Sequence, residues 1–236
     1  MSYFIFKGIS SEEMGLIIEK NCDITKPNRK YLEFKVEGRD GLLTKDLGTY
    51  ECTTKEFLVH LIKEDMPSLD YLLDWLDGEG ELISSTLHNR HYIARVDNEI
   101  PLEQIIENGL YKFPIRFKCQ PFSYRNKNDV IQITEQGTAI SNSCTRPAKP
   151  CLTVFGNGTI NLSITSDRGV YQITLKDVVD SITINTDTMQ CYKGLENCNS
   201  KMTGKFPILQ KGKNTFEWSG GTVTKIEVTP NFGYLI

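Results

Sequence analysis

Apolar and charged residues alternate over residues 32 to 37, where Leu32, Phe34 and Val36 are separated by Glu and Lys residues. Because successive side chains of a strand point to opposite faces, this pattern predicts a half-buried strand with one apolar and one charged face. A charged pair between two glycines follows it: Gly38, Arg39, Asp40 and Gly41. Since glycine tolerates positive φ without a Cβ clash, these four residues predict a tight reversal into a second segment.

The rest of the first half predicts short strands and one helix. Pro67 suits the first turn of a helix, and Gly78 stands where a glycine commonly ends one. A helix over 67–77 is therefore expected, with one apolar stripe formed by Leu69, Leu72, Leu73 and Leu76. Trp75 lies off the centre of this stripe, at the edge of the core or in an interface. Strand patterns occupy 3–6, 15–19, 81–86, 91–97 and 110–121.

Residues 51–65 fit two structures. Thr53 and Glu56 have the spacing of a capping box, which favours a helix. The alternation of Phe57, Val59 and Leu61 with other apolar residues instead favours a strand buried on both faces.

Composition changes between residues 122 and 149, where Ser, Asn, Gly and Pro are frequent. A domain boundary is therefore predicted near Glu135, which gives domains at 1–135 and 136–236. Beyond it, strand patterns recur about every ten residues, as expected for an all-β sandwich. They include 150–156 and 159–165, separated by a predicted reversal at Gly156-Asn157-Gly158, and 205–209.

Composition describes an ordinary globular protein. The 236 residues are 39% hydrophobic and 24% charged, with a formal net charge of -3, which offers no general attraction for nucleic acid or acidic membranes. No uninterrupted apolar run is long enough to form a signal-peptide core or to span a bilayer. The chain is therefore expected to stay in the compartment where it is made.

The sequence gives little support for a metal or catalytic site. Its seven cysteines lack CxxC pairs and are expected to be free thiols. The alternative is a metal site with four thiolate ligands, because Cys144 and Cys151 are seven positions apart and so are Cys191 and Cys198. A second candidate metal site consists of His88 and His91 with Glu79 or Glu81. The alternative is that these side chains are polar residues of the surface or of turns. No nucleophile, phosphate-loop or dinucleotide motif occurs. We expect no enzyme activity, no cofactor and no metal.

The order of motifs, from the strand and G-R-D-G turn to D-L-G-T-Y at 46–50, resembles the distal tail proteins (Dit) of long-tailed, non-contractile bacteriophages. The similarity continues in Y-I-A-R-V at 92–96, in T-V-F-G-N-G-T-I at 153–160, in F-P-I-L-Q-K-G-K-N-T-F-E-W-S-G from Phe206, and in I-E-V-T-P-N-F-G-Y from Ile226. The resemblance favours a strand at 51–65. It implies a mainly β fold: an N-terminal β-sandwich with one packed helix and hairpin extensions, then a galectin-like C-terminal β-sandwich.

The resemblance also implies a structural role in the virion at the phage tail tip, for a protein made in the bacterial cytoplasm. Six copies would form a ring with a DNA channel. Its partners would be the tail tube protein, a tail-associated (Tal-type) hub protein, and receptor-binding or baseplate proteins, without sequence-specific nucleic acid binding or membrane contact. Gly38, Arg39, Asp40 and Gly41 would form the turn that either caps its own domain or contacts the next subunit. The alternative is carbohydrate binding by the C-terminal sandwich, although Trp218, between Phe216 and Ser219, is expected in the core.

Overall fold

A computed structural model describes residues 2–62, 69–101, 103–106 and 110–236. The chain forms two compact units: residues 1–126 with 235–236, and residues 127–234. The observed boundary follows residue 126, whereas the predicted one follows residue 135, nine residues later. Strand 131–133 pairs with strand 222–229, and this pairing joins it to the second unit.

In its described residues, the first unit has ten strands and the helix α1 (Leu69–Leu76). The strands are β1 (Phe4–Phe6), β2 (Ile9–Ser10), β3 (Leu16–Lys20), β4 (Arg29–Lys35), β5 (Leu42–Tyr50), β6 (Thr53–Ile62), β7 (Glu79–Ser84), β8 (Arg90–Val96), β9 (Glu103–Ile106) and β10 (Leu110–Arg125). One sheet has the order β2-β1-β7-β8-β10-β6-β3, with β9 also on β10. The β4-β5 hairpin forms a separate two-stranded sheet.

Aromatic rings fill the core of the first unit. Phe4 stacks on Trp75 with ring centroids 5.7 Å apart, and Phe57 and Phe117 lie edge-on to each other at 5.9 Å. The Trp75 indole N–H donates to the Phe6 carbonyl at 2.9 Å, so this buried polar group is paired. Trp75 therefore belongs to the core, which settles the two placements that the sequence left open.

Residues 53–62 form a strand, as the resemblance predicted, but only one of its faces is fully buried. Phe57, Val59 and Leu61 are buried, whereas Leu58 and His60 are half-buried. The helix also differs from its prediction, because Leu73 is exposed while α1 packs through Leu72, Trp75 and Leu76. The predicted helix start at Pro67 lies outside the described residues.

The second unit is built from strands β11 to β21. They are β11 (Ile131–Ile133), β12 (Ala139–Asn142), β13 (Cys151–Ser166), β14 (Gly169–Val178), β15 (Ser181–Asn185), β16 (Gln190–Lys193), β17 (Glu196–Asn197), β18 (Met202–Gly204), β19 (Gly212–Ser219), β20 (Thr222–Thr229) and β21 (Gly233–Tyr234). Strands β11 to β20 form two sheets around one core, with the orders β11-β20-β13-β15-β16-β17 and β12-β19-β13-β14-β18. This architecture confirms the predicted mainly β fold class.

Strand β13 takes part in both sheets, so the predicted reversal at residues 156–158 is wrong. Its first half pairs with β15 and β20, and its second half pairs with β14 and β19. The backbone of Thr222 approaches β13 closely at Gly156, where a Cβ would lie 1.9 Å from the Thr222 carbonyl oxygen. Glycine has no Cβ, so the strand continues through this position. The strand predicted at 205–209 is also wrong: within it, only Leu209 forms a bridge, with Ala148.

Among the described residues, no helix is long and apolar enough to cross a membrane.

Candidate functional site

The β4-β5 hairpin leaves an unusual amount of apolar surface in solvent. Every residue from 28 to 49 is exposed, which contradicts the predicted half-buried strand. Seven large hydrophobic side chains of this hairpin are 41 to 50% exposed: Tyr31, Leu32, Phe34, Val36, Leu42, Leu43 and Leu47. Several exposed apolar side chains on one element are typical of an interaction site.

The strand register separates an apolar face from a mixed one. Phe34 lies opposite Leu43, and Leu32 lies opposite Lys45. Directly opposed residues share one face of a sheet, so Leu32, Phe34 and Leu43 form what we call the apolar face. The other face carries the pairs Tyr31–Asp46, Glu33–Thr44 and Lys35–Leu42. An isolated two-stranded hairpin is marginally stable in water, so a covered apolar face would stabilise it.

The tip of the hairpin has the predicted backbone. Gly38 and Gly41 adopt φ of 77° and 76°, which a side chain at either position would strain. The Arg39 amide N–H donates to the Val36 carbonyl at 3.3 Å and closes the turn. Within the described ranges, the side chains of Arg39 and Asp40 make no hydrogen bond or ion pair. The two roles predicted for this pair, capping its own domain or contacting the next subunit, both stay predictions.

Three kinds of contact hold the root of the hairpin on the first unit. The Tyr50 ring packs edge-on against Phe122 with centroids 5.4 Å apart. The Glu51 N–H donates to the Asn28 carbonyl at 2.9 Å. Lys55, only 2% exposed, donates from its Nζ to the Asp23 carbonyl at 2.8 Å and to Thr25 Oγ1 at 3.1 Å, which fastens the segment that leads into β4.

An ion pair closes the hairpin near this root. Arg29 donates from Nε to Asp46 Oδ1 at 2.8 Å, and its Nη2 lies 2.7 Å from Asp46 Oδ2. Asp46 Oδ1 also accepts the Gly48 N–H at 2.8 Å. The Arg29 hydrogen bonds, followed by the Gly48 N–H, lower the pKa of Asp46 below its ordinary value. Because both groups are exposed, we assign this pair to the geometry of the hairpin rather than to its stability.

A second candidate site lies on the outer surface of the β14-β13-β19 sheet. Register places Thr174, Asn161 and Ser219 in one row and Gln172, Ser163 and Glu217 in the next. These side chains line an open cavity of about 440 Å³, together with Gln136. The Thr174 hydroxyl donates to Asn161 Oδ1 at 2.8 Å. The six side chains in these rows are polar, and Glu217 alone among them is charged.

Trp218 lies mainly on the opposite side of this sheet. It pairs with the buried Leu162 and packs, partly buried, against the core, while also bordering the cavity. Its position agrees with the predicted core role more than with a platform for stacking a sugar.

Comparison with known proteins gives matches among solved structures alone, since no family model and no curated protein matches the chain. The Dit protein of phage SPP1, described as a paradigm of the hub adsorption apparatus in phages infecting Gram-positive hosts, superposes with a TM-score of 0.78. Identity is 12%, and 99% of each chain is covered. The chain has the Dit fold.

Two structures of the phage P2 baseplate in its activated conformation contain chains of similar fold. The calcium form gives a TM-score of 0.54 at 12% identity and covers 99% of this chain and 97% of the other. The strontium form gives 0.52 at 13% identity, with 96% and 97% covered. The predicted resemblance is therefore confirmed at the level of the fold and over nearly the whole length.

The metal candidates from the sequence are not brought together. Across the described part of the chain, no group of three or more His, Cys, Asp or Glu side chains is placed to hold a metal ion. His91 Nε2 lies 3.8 Å from Glu81 Oε1, and its Nδ1 lies 3.2 Å from Asn126 Oδ1. His88 is exposed, and the seven cysteines are free thiols.

Proposed function

We propose that this chain is the structural hub at the distal end of a phage tail. Six copies would form a ring with a central channel for DNA. The ring would join the tail tube protein to a Tal-type hub protein and to receptor-binding or baseplate proteins. The full-length Dit fold supports this role, and the exposed apolar hairpin is the observation that carries it. No catalysis, cofactor or metal is required, because such a hub works by holding its partners together.

The apolar face of the hairpin is the subunit contact in this proposal. A closed ring uses head-to-tail contacts, so each copy must offer one surface to the neighbour ahead and another to the neighbour behind. The hairpin meets the first requirement, since its root is fixed by Lys55 and Tyr50 while its body is exposed. Arg39 and Asp40 at its tip would add a polar contact to the same neighbour.

The test is light scattering on the size-exclusion peak over a concentration series, with negative-stain images of the same fractions. Six-fold rings with a central hole are expected. Arg39→Ala should move ring formation to higher concentration, because the tip loses its charged contact. Arg168→Ala is the matched control, since Arg168 occupies an exposed turn of the second unit. A strict monomer at every concentration would contradict the ring of identical copies.

Carbohydrate binding is a second candidate function, favoured by the polar cavity on the second unit. Amide and hydroxyl side chains such as Gln172, Asn161 and Thr174 can donate to and accept from sugar hydroxyls without attracting ions. A host-surface glycan would then lie across the two polar rows. Calorimetry or a glycan array should detect binding that Asn161→Ala and Gln172→Ala both weaken. If no glycan binds at millimolar concentration, this second function is excluded.

A further inference from the structure

The β16-β17 hairpin brings two cysteines opposite each other. Gly194, with φ of 58°, begins its two-residue turn. Lys193 pairs with Glu196, and Tyr192 pairs with Asn197. One further step along both strands places Cys191 opposite Cys198, and the Cys198 N–H donates to the Cys191 carbonyl at 2.8 Å.

The two thiols face the same side of this hairpin. Cys191 is 1% exposed, Cys198 is 2% exposed, and both belong to the core of the second unit. Opposed residues of an antiparallel pair have Cβ atoms roughly 4.5–5.5 Å apart. A disulfide needs Cα atoms roughly 4.4–6.8 Å apart and somewhat closer Cβ atoms, which a small adjustment of the hairpin provides.

We propose that Cys191 and Cys198 are a site of oxidative modification, which a peroxide or a small-molecule disulfide converts into an internal disulfide. With hydrogen peroxide, one thiolate attacks an oxygen atom and becomes a sulfenic acid, while the other oxygen leaves as hydroxide and is protonated to water. The second thiol then attacks the sulfenic sulfur and releases a second water. In total the two thiols lose two protons and two electrons, and the peroxide gains them to form two molecules of water.

The reaction requires the hairpin to open. Burial, and then the neighbouring Cys198, raise the pKa of the Cys191 thiol to about 11, so little thiolate exists near neutral pH. Opening is local, because β17 has two residues and lies at the end of its sheet. We therefore expect slow oxidation in the folded protein. The disulfide would then fix the turn of the hairpin, which contains the fully exposed Leu195. This inference does not depend on the proposed hub function.

Tryptic mapping without reductant gives a direct test. Cleavage after Lys193 separates the two cysteines into peptides 177–193 and 194–201, each with a single cysteine. After treatment of the folded protein with hydrogen peroxide or oxidised glutathione, these two peptides should run as one linked species, which a reductant divides. Cys191→Ser and Cys198→Ala should each abolish that species.

Cys144 and Cys151 provide the matched control, because they have the same spacing in the sequence. Cys151 pairs with Asn185 and Thr229 rather than with Cys144. Both lie in peptide 128–168, since Arg146 and Lys149 precede prolines and resist trypsin. This peptide should keep the mass of its two free thiols. The proposal is overturned if peptides 177–193 and 194–201 stay separate while other thiols are oxidised, or if Cys198 is joined to another cysteine.

Discussion

In the proposed ring, Phe34→Ser should weaken the contact between copies of this chain without unfolding either unit. Phe34 lies on the apolar face opposite Leu43 and is 50% exposed in the single chain. A phenylalanine side chain offers about 200 Å² of surface, so about 100 Å² remains for a neighbour to cover. At about 25 cal/mol per Å², this burial is worth about 2.5 kcal/mol for each contact. Serine supplies almost none of it, so each contact should weaken by about 60-fold.

Tyr31→Ser is the matched control for this prediction. Tyr31 is an aromatic residue of the same strand with the same exposure of 50%, but it pairs with Asp46 on the opposite face. Sedimentation velocity over a wide concentration range should show that the Phe34→Ser protein forms rings only at a much higher protein concentration than the wild type. The Tyr31→Ser protein should stay near the wild type. Urea unfolding of each variant verifies that the units remain folded.

Two outcomes would refute the reasoning. Equal weakening by the two serine variants would mean that the contact does not distinguish the faces of the hairpin. Rings that persist at wild-type concentrations in the Phe34→Ser protein would mean that the apolar face is not the subunit contact.

Three further predictions concern stability. Gly156→Ala should lower the free energy of unfolding of the second unit, measured by urea titration, by about 3 kcal/mol or more, because its Cβ would meet the Thr222 carbonyl. Gly137→Ala, with open space at φ of 76°, should cost about 1–2 kcal/mol, and equal losses would contradict the steric explanation. Trp75→Phe keeps a ring against Phe4 but removes the indole N–H that donates to the Phe6 carbonyl, so urea titration should show a loss of about 1–3 kcal/mol. A neutral result would mean that another group satisfies this carbonyl. Burial raises the pKa of the Cys119 thiol to about 12, so the folded state keeps a proton that the unfolded chain releases above about pH 8.5, and stability falls as pH rises. Cys119→Ala should flatten that fall by up to about 1.4 kcal/mol per pH unit in urea titrations between about pH 8 and 9.5. Burial lowers the pKa of Lys55, which acts in the opposite direction but is present in both proteins, so the comparison isolates Cys119. An unchanged slope would contradict the assignment.

The alternation of residues along the chain determined much of the local structure. Leu32 and Phe34 predicted a strand with one apolar face, and Gly38 and Gly41 predicted the positive φ of its turn; β4 and the tip of the hairpin have both features. The same reasoning located β10 and most of α1. These features depend on neighbours within a few residues, because backbone geometry fixes which side chains share a face.

The tertiary structure decided which of those faces are covered. The period of two that makes β4 a strand is indifferent to burial, and the rest of the first unit leaves its apolar face in solvent. Conversely, Lys55 shares a face with Phe57 and is buried, because the Asp23 carbonyl and Thr25 hydroxyl accept its hydrogen bonds from a distant segment. Gly156 likewise looked like a turn residue until β20 was seen to approach its backbone. Burial depends on contacts between segments far apart in sequence, and local periodicity contains no record of those contacts.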